Sequence, residues 1–175
     1  MYSEAYIDYL AHFHGIRDYF ECHEILEEHW KQDPRGRRKT HWVGLIQIAV
    51  GLYHHRRGNF AGAARMIQNA KRIAISERIE LETLAIDVDQ LLRDLTQEYH
   101  LIESRSPYNG FDLPLTSKEL LQQCQERCQE LGCAYGTPSD LTNDDLIHRH
   151  SRRDRTEVLV ERNHQFQIRH QKRNG

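Results

Sequence analysis

A chain of 175 residues is long enough for one hydrophobic core with an appended segment. Hydrophobic residues make up 38%, the formal charge is −2 and the mean hydropathy is −0.78, a balance that sets no bias toward nucleic acid or an anionic membrane. No run of about 18 apolar residues exists to span a membrane, and Met1-Tyr2-Ser3-Glu4-Ala5 lacks the basic-then-apolar order of a signal peptide, so a cytoplasmic protein is expected.

Ser3 is placed to cap a first helix through about His14, with Tyr6, Ile7, Leu10 and Phe13 on its apolar face and Gly15 as its breaker. A second helix is expected from about Asp18 to Trp30, then a loop at Asp33-Pro34-Arg35-Gly36. The third, about Lys39 to Arg57, is apolar nearly all round and reads as the central helix. Gly58-Asn59 ends it and caps a fourth helix carrying Phe60, Ala63, Ala64, Ile67 and Ala70. Asp87 with Gln90 opens a fifth, to about Ile102, and Thr116 with Glu119 a sixth, through about Leu131. Thr142-Asn143-Asp144-Asp145 starts a short helix, and residues 156–171 fit a hairpin or a helix about equally well. Asp18-Tyr19 and Asn59-Phe60 open their helices alike, an internal echo with too few copies for a solenoid. The fold expected is an all-α bundle of about five or six helices with a C-terminal extension, residues 1–110 forming the bundle domain and residues 111–175 a C-terminal helix and basic tail.

Four cysteines (Cys22, Cys124, Cys128 and Cys133) include no Cys-x-x-Cys knuckle, so reduced thiols rather than structural zinc are expected. From His148 onward eight Arg/Lys stand against three Asp/Glu, yet there is no stacking platform beyond Phe166, and nucleic acid is not expected as a partner. A homodimer through helix faces is compatible with the apolar third helix.

The chemistry-bearing residues cluster on the second and third helices. His23 and Glu27, four apart, share a helix face with Glu24 beside them. The stretch departs from the His-Glu-x-x-His peptidase motif, because its fifth position is Glu27, and from ferritin-like Glu-x-x-His spacing. A His/Glu pair with a third ligand still suits zinc, manganese or iron. Gln47, Gly51 and His54 form one stripe of the third helix, and Glu24 or Glu27 is expected to satisfy Gln47, since an unpaired buried amide costs about 1–3 kcal/mol. Packing the two helices antiparallel would gather His23, Glu24, Glu27, Gln47 and His54. Such a cluster has three readings: a register-fixing polar network, a metal-assisted catalytic site, or a small-ligand pocket. His41 and His55 are expected at the surface.

The run Arg17-Asp18-Tyr19-Phe20-Glu21-Cys22-His23-Glu24-Ile25-Leu26-Glu27-Glu28-His29-Trp30, then Gly44 to His54, then Arg57-Gly58-Asn59 and Gly62-Ala63, resembles a small helical family of unknown function found in bacteria, archaea and plants. Its members are often labelled metal-dependent hydrolases, a label that itself rests on the His/Glu motif. The resemblance covers about residues 5 to 110 and implies a shared site at His23, Glu24, Glu27, Trp30, Gln47, Gly58 and Asn59. The resulting expectation is a metal-assisted hydrolase-like protein. His23, Glu27 and His54 would hold a divalent metal, Glu24 would act as base, and Gln47, Trp30 and Asn59 would line the site. The alternative is a non-catalytic helical interaction module.

Overall fold

Short polar side chains start the helices largely where the sequence places them. The computed structural model describes residues 1–149. Among these are eight α-helices and no strand: α1 Glu4–Ala11, α2 Tyr19–Gln32, α3 Thr40–Arg56, α4 Phe60–Ser76, α5 Arg78–Thr83, α6 Val88–Glu103, α7 Lys118–Glu130 and α8 Asp144–Ile147. The six longer helices are those expected, α8 is the short one, and α5 is an addition. The segment 156–171 lies outside the described residues.

Ser3 accepts from the Tyr6 N–H, Asp18 from Glu21 and Asp87 from Gln90, each cap contributing about 1 kcal/mol. The internal echo is a repeated cap geometry. Asp18 (φ −84°, ψ 78°) and Asn59 (φ −86°, ψ 77°) each accept from the N–H three residues on. At α7 the cap is Ser117 rather than Thr116, because the Thr116 N–H is drawn to the Ala85 carbonyl at 2.8 Å beside the Ile86–Leu115 bridge.

Gly15 does not break the first helix. It lies in a π-helical turn, His12–Ile16, that continues α1. A Cβ on Gly15 would stand 2.6 Å from Cys133 Sγ and 2.9 Å from Cys128 Sγ, so the missing side chain lets this turn touch the end of α7. The chain turns away at Arg17, which is left-handed at φ 60°. Arg17 is held there by bonds from its guanidinium to the Thr137 carbonyl (2.8 Å) and Asp112 (2.7 Å).

α2 and α3 run antiparallel. The His29 and Trp42 rings meet at one end of the pair, 5.0 Å apart, and Phe20 and Tyr53 at the other, 6.3 Å apart. α4 packs closely on α3 because two glycines remove the side chains between them. A Cβ on Gly44 or Gly51 would approach Ile73 Cγ2 or Ile67 Cδ1 to 2.7 Å. α1 closes the bundle against α7. Tyr9 Oη donates to the Leu45 carbonyl, Tyr6 Oη to the Leu84 carbonyl, and Arg127 of α7 pairs with Glu4 and Asp8. Leu113, Leu120 and Cys124 share one core with Leu10, Leu45, Ile67 and Leu91, so residues 111–130 pack onto the preceding helices.

His41 and His55, expected at the surface, are 4% and 2% exposed. The reason lies in α3 itself, which is buried on nearly every side and has no wide solvent face for them.

Candidate metal centre and adjoining cleft

The N-cap at Asp18 fixes the phase of α2. Tyr19, Cys22 and Leu26 are thereby buried, and His23, Glu24 and Glu27 come to the border of the apolar face. Their side chains are 30%, 35% and 33% exposed. His23 Nδ1 lies 3.1 Å from Glu24 Oε1 and Nε2 3.2 Å from Glu27 Oε2. Lys31 holds the other Glu27 oxygen at 2.7 Å. One ligand atom from each of His23, Glu24 and Glu27 falls within 4.8 Å of the others. Donors at about 2.1 Å from one ion stand roughly 3–4 Å apart, so the His–Glu separations match a shared cation, and a nitrogen with two carboxylates suits zinc, manganese or iron.

Beside this cluster lies a cleft of about 160 Å³ between α2 and α3, lined by Tyr19, Phe20, His23, Val50, Tyr53, His54 and Arg57. Antiparallel packing thus brings His23 and His54 to one cleft, as the sequence suggested. Asn59 sits behind His54. Its Oδ1 accepts the Gly62 N–H at 3.1 Å, which turns its amide NH2 toward His54 Nδ1 at 3.2 Å. An amide NH2 only donates, so Nδ1 is the acceptor and the His54 proton sits on Nε2. His54 lies on the cleft wall and stands outside the close His23–Glu24–Glu27 group.

Gln47 is not part of the lining, and its Oε1 is buried without a hydrogen-bond partner among the described residues. Glu24 and Glu27, expected to satisfy it, bear carboxylates that only accept when ionised and cannot serve an amide oxygen. Trp30 lies two turns past His23, under the Arg38 guanidinium at 4.6 Å, where Arg38 also bonds the Asp33 and Lys31 carbonyls near the end of α2.

Two polar centres escaped the sequence reading. His55 Nδ1 meets Glu98 Oε1 at 2.5 Å and Nε2 meets the Ser106 carbonyl at 2.8 Å, with side-chain exposures of 0% and 3% for His55 and Glu98. Burial alone would lower the His55 pKa, but the bonds to Glu98 and Ser106 outweigh it and raise the pKa above the usual value. Both ring nitrogens face acceptors, which only an imidazolium satisfies. His14 is the converse. Its Nδ1 donates to the Leu10 carbonyl at 2.8 Å, Nε2 accepts the Leu113 N–H at 3.0 Å, and burial lowers its pKa to about 4. The signal in the sequence was the position of each histidine within an otherwise apolar helical stretch.

The family described as "Domain of unknown function (DUF309)" matches residues 6–66, a span that contains the cluster, the cleft and the Asn59 cap. The chain is 47% identical over 173 residues to the "Uncharacterized protein YpuF" of Bacillus subtilis (strain 168), covering 99% of each. No solved structure matches it. The chain belongs to the DUF309 family.

Proposed function

We propose that the protein is a metal-dependent hydrolase-like enzyme whose centre is His23, Glu24 and Glu27. The observation that carries this reading is the convergence of three ligand atoms within 4.8 Å at the mouth of an aromatic cleft. A divalent cation held there would supply Lewis acidity and lower the pKa of water toward about 7. His23 and Glu27, four apart on α2, form the chelating pair, and Lys31 fixes the Glu27 carboxylate in place. Glu24 is within reach to take up a proton, with His23 orienting its Oε1. His54 lines the cleft beside this centre. A cytoplasmic setting accords with four free thiols. Among the described residues no helix is long and apolar enough to cross a membrane.

The test is elemental analysis of the purified protein after loading with zinc, manganese or iron, beside His23→Ala. Near-stoichiometric metal in the wild type and at least tenfold less in the variant is expected, with uptake weakening as pH falls because protons compete for the ligands. Equal metal in both proteins would remove the proposal.

One observation favours the non-catalytic alternative. His23 is bracketed by two carboxylates and Glu27 by Lys31, all on one half-exposed helix face. Such a ladder stabilises a helix by a few tenths of a kcal/mol per pair without any ligand. That reading is supported if His23→Ala lowers stability slightly and changes nothing else.

A further inference from the structure

The cleft has a polarity that the metal cluster does not explain. Among the described residues its lining of Tyr19, Phe20, His23, Val50, Tyr53, His54 and Arg57 contains no carboxylate. Other buried arginines hydrogen-bond within the protein. Arg17 is held by Asp112 and the Thr137 carbonyl, and Arg56 by the Arg17 carbonyl. Arg57 differs. It is half-buried, its guanidinium lies over the Tyr53 ring at 5.4 Å, and among the described residues no carboxylate pairs with it. An aromatic face under a guanidinium holds it flat and leaves its in-plane N–H fork for a planar oxyanion, which accepts two parallel bonds. Phe20, Val50 and Tyr53 give the lining its apolar part, and about 160 Å³ is close to the roughly 150 Å³ of a cavity that admits benzene.

We infer that this cleft binds a small organic anion, its carboxylate or phosphate on Arg57 and a body of about one ring against Phe20, Val50 and Tyr53. As a substrate class this rests on the hydrolase reading, since the reacting bond would have to face Glu24. The binding itself does not. The anion's charge is also what selects it: a neutral ligand of the same shape leaves the fork of Arg57 unpaired, and truncation of such a bond costs about tenfold or more.

The experiment uses the full chain after treatment with chelator, so that metal plays no part. Benzoate, phenyl phosphate and the neutral benzamide are titrated while amide resonances of residues 50–58 are followed by NMR. One or both anions should bind at least about tenfold tighter than benzamide, the tighter of the two naming the headgroup. Arg57→Gln should erase that preference, Arg57→Lys should restore part of it, and Val50→Trp should abolish binding of every probe by filling the cleft. Equal binding of benzoate, phenyl phosphate and benzamide would overturn the proposal, as would an anion preference unchanged in Arg57→Gln or no binding by any of the three. Anion binding intact in a His23→Ala variant that still retains metal would sink the metal reading and leave this one standing.

Discussion

His14 and His55 push the stability of the fold in opposite directions with pH. The folded protein holds the His55 proton more tightly than an unfolded chain, whose histidines titrate near 6.5. That stabilisation is complete below about pH 6.5 and is lost as pH rises through the raised folded-state value. For His14, with its folded value at about 4, the unfolded chain takes up a proton that the folded one refuses. Stability therefore falls as pH drops from about 6.5 to 4, by a few kcal/mol. Urea midpoints should peak near pH 6.5. His55→Gln should flatten the alkaline limb and His14→Gln the acid limb, and a midpoint that climbs steadily from pH 6.5 to 9 would contradict the His55 assignment. Removing Glu98 alone leaves a buried imidazolium without its counter-charge, a change that costs about 3–5 kcal/mol in such pairs.

At the scale of elements, the α3–α4 contact depends on absent side chains. Alanine at Gly51 would gain about 1 kcal/mol in helix propensity, yet its Cβ would lie 2.7 and 2.9 Å from two atoms of Ile67 and 3.4 Å from Met66 Cβ. Overpacking costs about 1–3 kcal/mol, so Gly51→Ala should be destabilising by about 1 kcal/mol net. Ile67→Val, which removes the Cδ1 atom, should recover part of that loss. Strict additivity of the two changes in denaturant melts would show that the helices do not meet there. α3 itself was legible because its apolar run is long and Gly58-Asn59 punctuates it. α5 was not, since among its six residues only Leu81 is buried. The π-turn was hidden because the extra residue shifts the helical phase without any breaker, and Gly15 imitated one. In the site, the pairing of His23 with Glu27 follows from i,i+4 spacing. The contribution of Tyr53 and Arg57 to the opposite wall depends on how α3 is rotated, which a helix apolar nearly all round does not declare.

Across the whole molecule, the four thiols report different depths of the same structure. Cys22, Cys124 and Cys128 are fully buried, and burial lifts the Cys124 and Cys128 pKa values to about 12. Cys133 is half-exposed. A thiol reagent should modify one cysteine quickly in the native protein, and Cys133→Ser should remove that phase. The other three should react only through opening of the fold, slowly and together. Two fast thiols in the native state would mean that α7 detaches from α1 independently. That contact also joins residues far apart in the chain, as with Arg127 on Asp8 and Leu113 on His14. On the ribosome, at about 5–20 residues per second, the first helix would emerge many seconds before its covering helix. α1 to α4 can pair meanwhile with their sequence neighbours, Tyr6 with Trp42 among them, while the His14 ring and the face of α1 that meets α7 await partners not yet translated. The newborn chain therefore carries one uncovered face of its first helix until its last third arrives, which makes that interval a point of exposure to chaperones and to aggregation.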